Sequence, residues 1–294
     1  MNAALNRRIS LISSTFVSFF ATIVSNTLVL SLTIASQHAS ADHLERRTFI
    51  ADSSGNVLTA VTDILLPDGR YQRVLLVRPP GQVRGTLVMF PGGAGNIDVQ
   101  ANGKIEHPDN FVVRTRDAWI ERGYAVVLVD AIDHRDMRGV RSSPAYAAVT
   151  QSIVAFAKAE TNAPVWVMGT SQGSIAAMNA ASHARSGSIN GVILTESVTV
   201  LGGSHETVFD ADPRGVKVPA LVVANDDDRC RVAPAAMAPS IAAAMKNSRA
   251  GVLRVRGGEA QSADACGSLT PHGYFGIESQ VVDGIASWMT RQHS

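Results

Sequence analysis

Six short stretches of the chain are apolar at almost every position, at residues 86–90, 125–129, 165–168, 191–194, 220–223 and 252–255. A strand that is apolar on both faces is expected where helices cover both sides of a parallel sheet. Between these runs lie longer segments compatible with helices, at about 111–122, 146–160, 172–186 and 234–246, with a last one at about 276–291. Ahead of them, 48–50, 59–65 and 73–78 read as short strands separated by the turn sequences Ser53-Ser54-Gly55-Asn56 and Pro67-Asp68-Gly69, which makes an antiparallel edge. Strand and helix in alternation predict an α/β fold. Its core is a doubly wound, mostly parallel sheet of about eight strands with helices on both faces, and ligands gather at the carboxyl ends of such strands.

The first 41 residues follow a different pattern. Arg7 and Arg8 precede a mainly apolar segment from Ile9 to about Ala35, and Ala39-Ser40-Ala41 supplies small residues. Positive start, apolar middle and small residues at a cleavage site predict a secretory signal peptide over 1–41 and an exported domain over 42–294. The apolar part is longer than the usual h-region, so an uncleaved membrane anchor is the alternative. Of the 294 residues 46% are hydrophobic and 17% charged, enough for one large α/β domain. The formal net charge is +1, and with no dense Lys/Arg run it gives no footprint for nucleic acid. The two cysteines, Cys230 and Cys266, would reach an oxidising compartment, where a disulfide closing a loop of about 37 residues stabilises by roughly 4 kcal/mol. Without further Cys or His at ligand spacing they make no metal signature.

The chemistry centres on the segment from Val165 to Ser174, in which an apolar strand breaks at Gly169, a serine follows two places on, and Gly173 opens a helical sequence. A strand, a sharp turn and a helix hold the Ser171 hydroxyl out from the sheet, at the start of a helix whose free N–H groups favour developing negative charge. This segment resembles the nucleophile elbow, G-x-S-x-G, of the α/β-hydrolase superfamily. The resemblance extends over about residues 70–290. It implies that an acid and then a histidine follow the serine in chain order. The family's acid position after the strand at 220–223 matches Asp228, with Asp227 as second choice; a variant of the family takes the acid from the preceding strand end, where Glu196 stands. The family's base position, between the final strand and the final helix, matches His272. Cys230 is two residues after Asp228 and Cys266 six before His272, so a bridge would tie the two loops together.

The resemblance also implies an oxyanion hole made by the N–H of Gln172 and one from the loop Phe90-Pro91-Gly92-Gly93-Ala94-Gly95, with Gly93 expected and Ala94 the alternative. The expected activity is cleavage of a carboxylic ester in a small or acylated substrate through an acyl-serine, with no metal or cofactor. Peptidase or thioesterase chemistry on the same triad is the alternative. Only about 25 residues separate the strands at 191–194 and 220–223, too few for a large lid domain, which predicts an open, shallow site. Two readings from other classes compete. The segment from Gly93 to Asp98 half matches the dinucleotide fingerprint G-x-G-x-x-G, but Asp98 stands where the third glycine belongs. A non-catalytic binding module on the same fold is the other.

Overall fold

The computed structural model of the protein describes residues 21–24, 27–30, 46–50 and 57–292. The chain runs β1 (Ala21–Val24), β2 (Thr27–Leu30), β3 (Arg46–Ile50), β4 (Leu58–Leu65), β5 (Tyr71–Arg78), β6 (Gly85–Phe90), α1 (Phe111–Arg114), α2 (Arg116–Glu121), β7 (Tyr124–Val129), α3 (Pro144–Thr161), β8 (Val165–Thr170), α4 (Gln172–Ser182), β9 (Gly191–Thr195), β10 (Ala220–Asn225), α5 (Ala238–Ala244), β11 (Ala250–Val255) and α6 (Glu278–Arg291). One sheet holds nine of the strands in the order β11-β10-β9-β8-β6-β7-β5-β4-β3. From β7 through β6, β8, β9 and β10 to β11 every pairing is parallel, while β3, β4 and β5 pair antiparallel and β5 joins β7 antiparallel. The mostly parallel, doubly wound sheet predicted from the apolar runs is therefore present, with nine strands instead of about eight.

Side-chain alternation along the strands sorts the core into two layers. Val88, Phe90, Val165 and Val167 face one way and pack with Ile153 of α3, Ala177 of α4 and Ile241 of α5. Leu87, Met89, Trp166 and Met168 face the other and pack with Val112 of α1, Trp119 of α2 and Ile285 of α6. Strands buried on both faces need apolar side chains at every position, which is why the sequence shows runs there and no alternation.

Several boundaries differ from the sequence reading, each for a local reason. The helix expected at 111–122 is broken at Thr115 into α1 and α2, where the Thr115 hydroxyl donates back to Phe111 O at 2.9 Å. The expected helix at 234–246 begins as a 3-10 turn, Ala235–Met237, and α5 is only Ala238–Ala244. α3 agrees well: the Ser143 hydroxyl caps it by accepting from Tyr146 N, Pro144 occupies its first turn, and Asn162 ends it in the left-handed conformation. Regular structure also starts earlier than Thr48, with β1 and β2 paired antiparallel inside the leading apolar segment and β3 beginning at Arg46. The expected cleavage site after Ala41 lies outside the described residues. No helix among the described residues is long and apolar enough to cross a membrane.

Candidate active site

β8 ends and α4 begins at Ser171, which sits at φ 51° and ψ −122°. A non-glycine residue at positive φ is strained, and the surroundings must hold it. They do so by packing. A Cβ on Gly169 would meet Gly173 O at 2.0 Å, and a Cβ on Gly173 would meet Phe90 O at 2.1 Å, so the chain can close around the serine only with hydrogen at both positions. Ser171 N donates to Thr195 O at 2.9 Å, locking the turn to the end of β9. The Ser171 side chain makes no capping bond to its own helix, and Ser171 lines a cleft.

The loops carrying Asp228 and His272 meet each other. His272 lies in the turn Pro271–Gly273 between β11 and α6, and its Nδ1 is 2.8 Å from Asp228 Oδ2. Both are buried, the Asp228 side chain completely and His272 to 3% exposure. Asp228 Oδ1 accepts from Cys230 N at 2.7 Å, so each carboxylate oxygen has a donor. Because a carboxylate only accepts, Nδ1 is the donor, and in the neutral ring this puts the lone pair on Nε2. Nε2 is buried and has no hydrogen-bond partner, and His272 and Ser171 line the same cleft of about 360 Å³. No hydrogen bond joins them directly in this structure.

The three adjacent aspartates have three separate uses. Asp226 pairs with Arg254 and Arg256 at the surface, Asp227 accepts from Gly257 N at 2.9 Å, and Asp228 alone meets the imidazole. Glu196, the other candidate acid, is 1% exposed beside Asp228 but accepts from Asn225 N through Oε1 at 2.8 Å and makes no bond to His272. Burial first, and the adjacent Asp228 second, push its carboxyl well above the ordinary carboxylate value. The expected disulfide Cys230–Cys266 is formed, and Cys266 itself lines the cleft.

Opposite the base, the loop after β6 presses on the elbow. A Cβ on Gly92 would lie 3.1 Å from Thr170 O and 3.2 Å from Ser171 Cβ, and Gly93 adopts φ 57°. The carbonyls of Gly93 and Ala94 are held from outside, by Arg141 Nη1 at 3.0 Å and Met137 N at 2.9 Å. Gly92, Gly93, Ala94 and Gly95 line the cleft with Ser171, Gly95 N donates to Gly92 O at 3.1 Å, and Gln172 is the first residue of α4.

Four residues that build the site escaped the sequence reading. Asn225, at the end of β10, donates to both Gly257 O and Pro271 O at 2.9 Å and so fastens the base loop. Arg114 grips the same loop from α1, at Gly273 O (2.7 Å) and Ser268 O (3.1 Å), and pairs with Glu278. Asp130, at the end of β7, accepts from the N–H groups of Ile97, Asp98, Val99 and Ala131 and anchors the far end of the glycine loop. Arg141 is buried behind that loop, where burial lowers its guanidinium pKa from the ordinary value. A polar residue at the last position of an apolar strand was the available signal for Asn225; the same holds for Asp130, one place beyond β7.

A scan against protein-family models finds no match, and a search of curated proteins finds none either. Solved structures are similar in fold. Acetyl xylan esterase 1 from a Thermoanaerobacterium species is 12% identical with a TM-score of 0.57, over 86% of this chain and 89% of that one. Est1E from Butyrivibrio proteoclasticus, with ferulic acid bound, is 15% identical with a TM-score of 0.56, over 78% and 98%. A dienelactone hydrolase from Anabaena variabilis is 14% identical with a TM-score of 0.52, over 75% and 92%. With the strand order, the elbow conformation and these likenesses together, the protein has the α/β-hydrolase fold.

Proposed function

We propose that the protein is a serine hydrolase that cleaves small carboxylic esters through an acyl-serine intermediate on Ser171, His272 and Asp228. The observation that carries the reading is the buried His272 Nδ1 to Asp228 Oδ2 bond, with Nε2 unpaired in the cleft that Ser171 also lines. Only the tautomer with a free Nε2 can take a proton from serine, and the aspartate selects it. The reading does not require a serine–histidine bond in the free protein, since such bonds tighten when substrate is bound.

In the proposed reaction, His272 Nε2 accepts the Ser171 proton as Oγ bonds to the ester carbon. Negative charge moves to the carbonyl oxygen, where the N–H groups of Gln172 and Gly93, or Ala94 in its place, donate to it. The imidazolium gives its proton to the departing alkoxide, leaving the acyl-serine. Water then repeats the attack with His272 as base, releasing the acid and restoring Ser171. Asp228 keeps its charge throughout and stabilises the imidazolium. The residues supply nucleophile, base and oxyanion donors themselves, so the scheme needs no metal or cofactor.

Two similar folds belong to proteins described as esterases or solved with an aromatic acid bound, which supports small esters as the substrate class. The segment between β9 and β10 holds only two one-turn 3-10 helices, Val208–Ala211 and Pro213–Gly215, so the cleft has no inserted domain to select a long chain. We place the mature domain outside the cytoplasm, after loss of residues 1–41, because an oxidising compartment preserves the Cys230–Cys266 bridge. Ser171→Ala tests the function. Hydrolysis of short-chain aryl esters should fall by at least about 10³-fold with the thermal transition unchanged; undiminished turnover would contradict it.

A further inference from the structure

Behind His272 stands a carboxyl group that the proposed reaction does not use. Glu196 follows β9 as Asp228 follows β10, and its backbone is held at φ 42°, a costly conformation for a residue with a side chain. Its N–H donates to Val223 O at 3.1 Å and its Oε1 accepts from Asn225 N, so both backbone and side chain are fixed from β10. Oε2 is buried and forms no hydrogen bond, the neighbouring Tyr274 hydroxyl donating to Val223 O instead. Side-chain oxygen and nitrogen atoms of Glu196, Asp228 and His272 lie within 4.8 Å of one another.

Two carboxyl groups this close, both shielded from water, cannot both be ionised. The distribution of donors decides which keeps the proton. Asp228 has one donor on each oxygen, His272 Nδ1 and Cys230 N, whereas Glu196 has a donor on one oxygen only. We propose that Glu196 is a protonated positioning residue: its carboxylic acid faces Asp228 as a hydrogen-bond donor, so that Asp228 alone holds the negative charge that orients His272. The inference rests on the triad reading above and adds to it a fourth group and a proton.

The titratable groups facing Glu196 are Asp228 from the loop after β10 and His272 and Tyr274 from the turn before α6. Tyr274 is fully buried, its hydroxyl donates to Val223 O at 3.1 Å, and burial together with Glu196 pushes its phenol well above the usual value, so it stays neutral. None of these groups offers a positive charge to a deprotonated Glu196 except a protonated His272, whose Nδ1 already serves Asp228. Loss of the Glu196 proton would therefore place a second negative charge against Asp228, with only the neutral Tyr274 hydroxyl, which serves Val223 O, beside it as a donor.

The protonation can be read without turnover. Infrared spectra of the wild-type protein at neutral pH should contain a protonated-carboxyl C=O band that Glu196→Gln removes and Asp227→Asn leaves in place. NMR of the wild-type chain with isotope-labelled glutamate should likewise show one carboxyl that does not titrate through the ordinary carboxylate range, a readout that survives even if the variant folds poorly. A wild-type chain in which every glutamate titrates normally would overturn the proposal while leaving the serine-hydrolase reading intact. Kinetics add a second decision. Glu196→Ala should lower kcat by about tenfold or more, and Glu196→Gln, whose amide can donate to Asp228 and accept from Asn225 N, should bring it back to within about threefold. If Glu196→Gln lost as much activity as Asp228→Asn, Glu196 would be the ionised acid and the assignment would be wrong.

Discussion

The Gly169–Gly173 turn around Ser171 and the Asp228–His272 pair arrive at the same rim of the sheet by opposite means. The elbow is local: five consecutive residues, two of them glycines that tolerate no Cβ, fix Ser171 against β6 and β9. The Asp228–His272 pair is assembled at long range. Asp228 and His272 are 44 residues apart and are held by Asn225, Arg114 and a disulfide that spans 36 residues. A site so divided should be damaged differently at its two ends. Substitutions at the elbow should act through packing, and those at the acid–base pair through hydrogen bonds and charge.

The largest expected effect separates Asp228 from its neighbours. Asp228→Asn removes the acceptor that fixes the His272 tautomer, and kcat should fall on the order of 10³- to 10⁴-fold. Asp227→Asn should cost less than about tenfold, because its bond to Gly257 N holds a loop and not the imidazole. Equal losses in the two variants would move the acid.

Reducing the Cys230–Cys266 bridge comes next. On the loop-entropy estimate the bridge stabilises by about 4 kcal/mol, so reductant should lower the melting temperature. Because Cys230 N donates to Asp228, activity below the transition should fall too, while the elbow stays intact. An unchanged melting temperature after verified reduction would remove the bridge from the account.

At the elbow, Gly173→Ala should destabilise by about 1–3 kcal/mol through forced movement against Phe90 O, measured by denaturant unfolding, and should lower activity in proportion to displacement of the serine. A fully stable and active variant would show that the contact is looser than the structure has it.

The last effect is a dependence on pH. A glutamate whose folded pKa is raised binds its proton more tightly in the native state than in the unfolded chain. Its stability contribution is full below the ordinary carboxylate value and is lost as pH rises from there towards the folded pKa. The difference in melting temperature between Glu196→Gln and wild type should therefore shift in favour of the variant as pH increases, with about 1.4 kcal/mol for each unit of pKa displacement. A difference independent of pH would argue for an ionised Glu196.

The same division explains what the sequence made legible. Apolar runs announce strands buried on both faces, so the parallel core could be read from pattern alone, and the glycine spacing at Gly169 and Gly173 announces the turn because the steric demand is local. Pattern says less where tertiary contacts decide. Thr115 breaks a helix whose periodicity continues through it, and the three aspartates at 226–228 are indistinguishable until Arg254, Gly257 and His272 claim one each. Arg141 and Arg114 carry no motif at all; their meaning comes from carbonyls far along the chain. Glu196 was visible as a carboxylate at a strand end, but its proton follows from burial and from Asp228, which only the folded arrangement brings together.

The central claim is that three distant segments make one hydroxyl reactive. Treating the native protein with a fluorophosphonate and mapping the adduct tests it most directly. A single covalent label on Ser171 is expected, absent after unfolding and strongly slowed in His272→Ala. A native protein that takes up no label at Ser171, or labels there equally well without His272, would contradict it.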